Sequence, residues 1–504
     1  MDWLKKYSSM AIKTKFKLVW GTCDFKMLGV TFNVDIDKMI KLNFEEKLIS
    51  LEKMISHWKR RYLTPIGKIT VIKSLFLPLF THLFISLPNP PTKIIDKINN
   101  LLFDFLWNGP AKIKKDVIIN DYEQGGLRMV NLSKFIQGLK CSWIRRILYS
   151  DSNWKSLTEH FLDLDKLFLC GKNYPEIASE KTKNAFWKDA LISFAQFIDK
   201  FPVQSDIDIL KCPIFYNHNL QIGGKSFFFK SWFDKGIRFV NDLYHNGKPL
   251  TLEDLEHCYN IKVNPLHYLS VSKVTQHYMR TKTQQKKHLK IPLPFIPHIL
   301  EPFTKIKSGG RVFYDHLNNN LVQPTSKAKW ETQYNISSNQ WKLFYSQPFN
   351  LTKDSSLQWL QIRILHRIIP VNKYLFTLKL KNSQECTFCK SESETIQHLF
   401  YNCVVTKRLI DTIESILLNG NITVQWNETS FLFSDNSREV AILSLYMKQY
   451  IFIKRNLGLL PDIHSFKKFI KHKLDVNRYI AERKNDVDNF EVDFKLLKCI
   501  QEHI

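Results

Sequence analysis

Three cysteines and one histidine lie within eighteen residues near the C-terminal end of a chain that otherwise uses cysteine sparingly. They are Cys386, Cys389, His398 and Cys403, in the pattern Cys-x2-Cys-x8-His-x4-Cys. Zinc prefers four tetrahedral thiolate or imidazole ligands, and a Cys-x2-Cys turn presents two thiolates from one tight loop. The spacing therefore predicts that this segment folds around a single Zn²⁺ ion held by these four side chains.

The second pair of ligands is expected on a short helix. In "ETIQHLFYNC" the apolar Ile396, Leu399 and Phe400 share one face, and the histidine and the last cysteine are five positions apart. Four protein ligands fill a tetrahedral site, so the ion would be structural and would leave no open position for a substrate. The alternative is two buried thiols and an unrelated third thiol with a surface histidine.

The charge balance points to a polyanionic partner. The chain has 504 residues, with 73 Lys and Arg against 47 Asp and Glu, a formal net charge of +26. Nucleic acid is the commonest partner of such a chain, while an anionic membrane surface and a merely solvated basic surface are the alternatives. We expect RNA or DNA, contacted mainly through the phosphate backbone, and no membrane. The most apolar stretch, 74–87, is shorter than the about 20 residues that a membrane-spanning helix needs.

The cysteine usage and the N-terminal sequence bear on the compartment. Nine cysteines, an odd number, are scattered along the chain, which fits reduced thiols better than a disulfide framework. "MDWLKKYSSMAIKTKFK" is too charged for the apolar core of a signal peptide. We therefore expect an intracellular protein of the nucleus or the cytoplasm, not a secreted one.

Apolar residues at helical spacing predict a mainly α, multi-domain architecture with a short N-terminal β segment and the small zinc knuckle. The alternating stretch 25–34 predicts one strand. Another helix is expected to begin at an Asp354/Ser355 cap and to stop at Pro370. The long helical patterns of the first block cover 42–64, 65–87, 92–109 and 132–150.

Basic residues concentrate on this first helical block. Between residues 41 and 150 there are 18 Lys and Arg and 8 Asp and Glu, a net charge of +10. The run Lys59-Arg60-Arg61 ends the first helix, and Lys68 and Lys73 project from the second. Helices with an apolar inner face and a basic outer face suit contact with a phosphate backbone.

A second basic strip is expected directly before the zinc knuckle. Arg363 and Arg367 lie one predicted helical turn apart, and a solvated face is the alternative interpretation. Nearby aromatic residues, such as Phe388 and Tyr401, are candidate surfaces on which unpaired bases would stack.

Several blocks, in their order along the chain, resemble the downstream part of the polyprotein of LINE-type non-LTR retrotransposons. The last block resembles the reverse-transcriptase zinc-binding domain, and the similarity runs across nearly the whole chain. The blocks are "FKMLGVTF", "HWKRRYLTPIGKITVIKSLFLPLF", "LLFDFLWNGPAKIKKDVIINDYEQGGLRM", "LQWLQIRILHRIIPVNKYLF" and "CTFCKSESETIQHLFYNC".

The resemblance implies a domain order. It assigns 1–35 to the edge of the polymerase palm and 36–150 to a helical thumb-like domain. The proline-rich and polar stretches near 290–330 predict a boundary there, which leaves 151–330 as a helical linker region, 331–430 as a C-terminal domain with the knuckle at 386–403, and 431–504 as a helical tail. Thumbs of this family grip the template–primer duplex, which makes the basic residues of the matching helices candidates for phosphate contacts. These candidates are Lys59, Arg60, Arg61, Lys68 and Lys73, and the zinc ligands carry over as Cys386, Cys389, His398 and Cys403.

One departure from the family bears on catalysis. Its polymerases hold two metal ions with an aromatic-x-Asp-Asp turn and an upstream aspartate, whereas this sequence contains no Asp-Asp pair. We therefore expect no catalytic residues, and a nucleic-acid-binding fragment that lacks the polymerase active site and the endonuclease. Two alternatives stay open: a helical protein-interaction scaffold with a zinc-stapled fold, and a part of a complete RNA-directed DNA polymerase that was mis-started in the gene model or pairs with a separately encoded palm.

Overall fold

The computed structural model describes residues 24–149, 153–200, 203, 205–245, 248–282, 297–300, 310–318 and 322–502. Helices dominate these ranges, and the two sheets found within them have two strands each. The prediction of a mainly α architecture with a short N-terminal β segment is therefore confirmed. Residues 1–23 of the predicted palm edge lie outside the described part of the chain.

The elements up to residue 200 combine a hairpin with helices of very different length. They are β1 (Asp24–Met27), β2 (Val30–Asn33), α1 (Ile36–Lys59), α2 (Pro65–Val71), a π turn (Ile72–Phe76), α3 (Pro78–Ser86), α4 (Thr92–Trp107), α5 (Lys115–Ile119), α6 (Leu132–Tyr149), α7 (Asn153–Glu159), α8 (Leu164–Leu169), α9 (Asn173–Lys181) and α10 (Ala185–Lys200).

The middle of the chain adds short helices and a second small hairpin. These elements are α11 (Asp206–Leu210), α12 (Lys230–Asp234), β3 (Tyr244–His245), β4 (Lys248–Pro249), α13 (Leu252–Tyr259), α14 (Pro265–Lys282) and α15 (Arg311–Leu317).

The C-terminal part is also mainly helical. It contains α16 (Thr325–Glu331), α17 (Ser338–Leu351), α18 (Ser355–Leu365), α19 (Asn372–Thr377), a second π turn (His398–Asn402), α20 (Val404–Asn419), α21 (Glu428–Phe433), α22 (Arg438–Leu457), α23 (Ile463–Lys484), α24 (Val487–Asp493) and α25 (Lys495–Glu502).

The stretch predicted as a single strand is a hairpin instead. β1 and β2 pair antiparallel, with Met27 opposite Val30. Leu28 and Gly29 connect them with φ angles of 49° and 80°, and positive φ at both central residues is the geometry of a two-residue hairpin turn. The single-strand prediction was wrong because side-chain alternation continues across such a turn and does not reveal it.

The predicted helices of the first block are present, but the second one is interrupted. Thr64 caps α2 by accepting a hydrogen bond from the Gly67 N–H at 3.2 Å, and Pro65 occupies the first helical position as expected. The π turn at Ile72–Phe76 follows α2, and α3 begins at Pro78. A proline has no N–H to donate inside a helix, so the predicted continuous helix breaks there.

The described structure divides into two compact units, each assembled from three stretches of chain. The division falls inside α1 and α4, so the predicted thumb-like segment 36–150 contributes to both units. The predicted domain boundaries stay predictions. Unit 1 takes in Met1–Met54, Phe76–Asn100 and Asn131–Asn319, and unit 2 takes in Ile55–Leu75, Leu101–Val130 and Asn320–Ile504, each as far as its residues are described.

Among the described helices, no single one is long and apolar enough to cross a membrane. The bent combination of Pro65–Phe76 with Pro78–Ser86 meets the length and composition requirements when the two parts are taken together.

The core of unit 2 is rich in aromatic rings. The Phe433 ring centroid lies 5.3 Å from that of Trp330, 6.0 Å from that of Trp341 and 5.1 Å from that of Phe344. The indole N–H of Trp330 donates to the Leu365 carbonyl at 3.0 Å, so this polar group is satisfied inside the core. The cluster joins α16, α17 and α18, which precede the zinc-ligand segment, to α21, which follows it.

Candidate metal centre

The four predicted zinc ligands converge. One ligand atom from each of Cys386, Cys389, His398 and Cys403 lies within 4.8 Å of all the others. The Sγ atoms of Cys386 and Cys403 are 3.9 Å apart, and Cys389 Sγ lies 3.3 Å from His398 Nε2. Cys389 is half-buried and the other three side chains are buried.

The donor set and its spacing fit zinc. Zn–S bonds of about 2.3 Å and Zn–N bonds of about 2.0–2.1 Å in a tetrahedron place two sulfurs about 3.8 Å apart and a sulfur and a nitrogen about 3.6 Å apart. The two separations found here lie within about 0.3 Å of those values. All four positions of the tetrahedron are taken by protein, so the ion is structural.

The first pair of ligands sits on a tight loop built by backbone hydrogen bonds. The Cys386 N–H donates to the Glu392 carbonyl at 2.7 Å, and the Lys390 N–H donates to the Cys386 carbonyl at 3.0 Å. Lys390 has φ of 56°, which lets the chain reverse. The Phe388 N–H points at Cys386 Sγ from 3.4 Å, but the hydrogen bond to Cys403 and burial raise the pKa of the Cys386 thiol overall.

The second pair lies on a single π turn, where a short helix was expected. The Cys403 N–H donates to the His398 carbonyl at 2.8 Å, an i to i+5 hydrogen bond. One wider π turn returns the chain to the same side after five residues, whereas an α-helix would place them well apart around its axis. The five-residue spacing of the two ligands therefore has a direct structural cause.

The environment of Cys403 favours a negative charge. Cys403 occupies the N-cap position of α20, where backbone N–H groups converge. A hydrogen bond from the Cys386 thiol, together with the N–H groups of Thr406 and Val405, lowers the pKa of Cys403 despite its burial. A site that stabilises a thiolate in this way is prepared for a divalent cation.

A carboxylate lies next to the histidine ligand, on the side of the ring away from the other three ligands. His398 Nδ1 lies 3.0 Å from Glu392 Oε2, although the angles do not meet those of a hydrogen bond. The ring nitrogen that faces Cys389 is Nε2, so Nδ1 is on the far side from the other ligands. A carboxylate that accepts a hydrogen bond from that nitrogen would orient a metal-binding imidazole, and Glu392 lies within reach of it.

A buried polar network anchors the loop between the two ligand pairs. Glu394 is fully buried and accepts hydrogen bonds from the N–H groups of Asn372 at 2.8 Å and Thr387 at 2.9 Å. Arg455 of α22 donates to the same carboxylate from Nε at 3.0 Å and from Nη2 at 2.7 Å. Burial raises the pKa of Glu394, but these donors outweigh it and leave the pKa below its usual value. Composition and spacing alone did not single out these residues.

The basic residues predicted to contact phosphate at the first helical block are largely accessible. Lys59, Arg60, Arg61 and Lys73 are exposed. Lys68 is half-buried, and its ammonium donates to the Leu106 carbonyl at 3.3 Å. Their contact with nucleic acid stays a prediction.

The predicted strip of Arg363 and Arg367 is not a single helical face. α18 ends at Leu365, before the predicted stop, and Arg367 has φ of 55°. The Arg363 guanidinium carbon lies 5.0 Å from the centroid of the Phe452 ring, and burial lowers its pKa to about 10. Arg367 stacks on Trp330 at 4.2 Å. The placement of Arg363 argues against a phosphate contact, while that of Arg367 stays a prediction.

The two aromatic residues proposed as stacking surfaces are poorly placed. Phe388 is only 6% exposed. Tyr401 is half-buried, its hydroxyl donates to the Trp426 carbonyl at 2.5 Å, and the Lys407 ammonium lies 4.9 Å from its ring centroid. Neither ring offers a free face to a base.

Comparison with known proteins identifies the class of this site. Residues 325–409 match the family described as zinc-binding in reverse transcriptase, a range that contains all four ligands. The chain therefore contains a reverse-transcriptase zinc-binding domain, with Zn²⁺ as its cofactor.

A second similarity concerns a particular protein. Over 209 residues the chain is 24% identical to the Transposon TX1 uncharacterized 149 kDa protein of Xenopus laevis, and the match covers 39% of this chain and 16% of that protein. Together, the two findings support a C-terminal retrotransposon reverse transcriptase region, as the sequence blocks predicted.

Proposed function

We propose that this chain is a nucleic-acid-binding part of a retrotransposon reverse transcriptase and that it has no polymerase activity of its own. The zinc-binding domain folds the C-terminal part, and the basic helices of the first block contact the phosphate backbone of a template–primer duplex. The observation that carries the proposal is the match of the converged zinc site to the reverse-transcriptase family.

A cluster of like charges in unit 2 supports the phosphate contact. Burial lowers the pKa of Lys68, and repulsion from Lys59 and Lys112 lowers it further. The Lys68 ammonium also lies 5.5 Å from the centroid of the Phe105 ring, which covers one side of it. Cations that repel Lys68 in this way are stabilised by a polyanion, because its phosphates offset the repulsion and the protein cations release the counterions condensed on the nucleic acid.

Charge reversal tests this surface directly. The triple variant Lys59→Glu, Arg60→Glu and Arg61→Glu should weaken binding of a labelled RNA–DNA duplex by at least tenfold, since three phosphate contacts are replaced by repulsion. Fluorescence anisotropy at fixed salt gives the affinities, and zinc content per chain reports the integrity of the knuckle.

A matched control separates the position of the charges from the total charge. Lys329, Lys342 and Lys353 are exposed, lie in the same unit and have no assigned role. Their replacement by glutamate changes the net charge equally and should alter affinity much less. Equal losses in the two triple variants would contradict a localised surface and would favour a general charge effect, as on a scaffold that binds proteins.

The proposed lack of catalysis has a separate test. The sequence contains no Asp-Asp pair of the kind that holds the two metal ions of a polymerase. The purified chain should therefore fail to extend a primer on an RNA template in the presence of Mg²⁺ and nucleotides. Primer extension by this chain alone would overturn the proposal and support a complete polymerase.

A further inference from the structure

We propose that the segment 372–384, which we call the stacking segment, binds single-stranded RNA by stacking bases on Tyr374 and Phe376 while lysines contact the phosphates. This site rests on the proposed function, because it supplies the single-strand contact that Phe388 and Tyr401 cannot make. Its sequence is "NKYLFTLKLKNSQ", and Glu385 separates it from the first zinc ligand, Cys386.

The stacking segment exposes side chains that proteins usually bury. Tyr374 is 38% exposed, Phe376 46%, Leu378 48% and Leu380 71%. Aromatic rings with a free face are the platforms on which unpaired bases stack. Both rings belong to α19 and are two positions apart, so they face different sides of the helix and each would stack a separate base.

The stacking segment is held in one conformation by the zinc-ligand loop. The Asn372 side-chain amide donates to the Glu385 carbonyl at 2.6 Å, and the Lys373 N–H donates to the Glu394 carbonyl at 3.2 Å. The end of α19 is closed by the Leu380 N–H, which donates to the Leu375 carbonyl at 2.9 Å. A pre-organised platform loses less conformational entropy on binding than a mobile one.

The charge of the stacking segment favours a polyanion over a second copy of the chain. It contains three lysines and no carboxylate. Lys381 donates to Asn372 Oδ1 at 2.7 Å, whereas Lys373 and Lys379 are exposed and form no ion pair among the described residues. Every copy carries a net charge of +26, so self-association through a basic face is repulsive.

The chemistry of the surface also distinguishes between nucleic acids. A duplex presents phosphates and groove edges but hides its base faces, so exposed rings favour a single strand. Asn382 and Ser383 lie exposed just after the rings. Their amide and hydroxyl groups can hydrogen-bond the 2′-hydroxyl that only RNA carries.

The test compares stacking and charge variants of the full zinc-loaded chain. The probe is a fluorescein-labelled 20-mer of uridine, measured by anisotropy over a range of salt concentrations. Phe376→Ala should weaken binding about tenfold, as expected for the loss of one stacked base, and should leave the salt slope unchanged. Lys379→Gln should instead reduce the slope by about 0.7, as expected for one single-strand phosphate contact.

Two further variants make the result specific. Phe376→Trp should retain binding, because an indole stacks at least as well as a phenyl ring. Phe161 is equally exposed at 46%, but aspartates follow it at 163 and 165, so Phe161→Ala should bind like the unchanged chain. A loss in Phe376→Ala that Phe376→Trp does not restore, or an equal loss in Phe161→Ala, would contradict stacking.

The remaining outcomes separate this site from the proposed function. Equal affinity for a deoxythymidine 20-mer would overturn the assignment to RNA, and self-association that is abolished by Phe376→Ala would show a protein interface instead. The triple charge reversal at Lys59, Arg60 and Arg61 can weaken duplex binding while Phe376→Ala leaves binding of the uridine 20-mer unchanged. That combination would contradict the stacking site and would still support the proposed function.

Discussion

At the scale of single residues, the ion pair of Glu394 and Arg455 connects the zinc loop to the core. The Arg455 side chain is 9% exposed and the Glu394 side chain 0%. Such a pair is costly to desolvate, but breaking it by removing one partner leaves an uncompensated buried charge. Its role here is to hold the loop between the ligand pairs in register with α22.

We expect Arg455→Met to destabilise unit 2 by about 3–5 kcal/mol, because the Glu394 carboxylate would stay buried without its cation. The double variant Arg455→Met with Glu394→Gln should lose less than the sum of the single variants, since residues in direct contact are coupled. Urea unfolding monitored by tryptophan fluorescence measures the free energies of unfolding. Additive effects would show that the pair does not act as a unit.

Residue identity predicted the metal ligands better than it predicted the surface contacts. A Cys or His ligand follows from its own donor atom and its spacing, and all four converge as expected. An arginine becomes a phosphate contact only when it is exposed, and the exposure of Arg363 depends on Phe452, which lies far along the chain. The free rings of Tyr374 and Phe376 could not be recognised for the same reason.

At the scale of elements, the zinc-ligand segment 385–403 has no large apolar core of its own. Its order comes from the knuckle loop, the π turn and the N-terminus of α20, all of which meet at the ligands. The free energy of metal binding is the free energy that folds such a segment. Removing one ligand should therefore unfold the segment and leave distant helices intact.

The expected result of Cys403→Ser is loss of the single zinc ion per chain and of amide hydrogen-exchange protection at 385–403. The buried middle of α22, around Leu443 and Met447, should keep its protection because its side chains pack in the core. Metal analysis and exchange mass spectrometry measure the two effects. Cys258 is exposed, belongs to unit 1 and is not in the ligand set, so Cys258→Ser serves as the control with unchanged zinc.

At the scale of the whole molecule, the charge of +26 is the dominant property for binding. Counterion release makes the logarithm of a nucleic-acid binding constant fall linearly with the logarithm of the salt concentration. The same excess of cations speeds association with any polyanion at low salt. The affinity for nucleic acid and its dependence on salt therefore both follow from the excess of positive charge.

We expect duplex binding by the unchanged chain to weaken steeply as salt rises. The replacement of Lys59, Arg60 and Arg61 by glutamine should make the slope shallower by roughly 3, at about 0.9 per lost phosphate contact. Filter binding at a series of salt concentrations gives the slope. A flat salt dependence would remove the phosphate backbone as the main contact.

The sequence by itself determined the helical class, the zinc ligands and the resemblance to retrotransposon reverse transcriptases. These features depend on local periodicity, on donor atoms at short spacing and on the order of motifs. All three can be read directly from the amino-acid sequence. Only the tertiary structure decided that residues 25–34 form a hairpin, that a π turn aligns His398 with Cys403, and that Glu394 pairs with Arg455. Burial and long-range pairing depend on contacts between residues far apart in sequence, and no local pattern contains them.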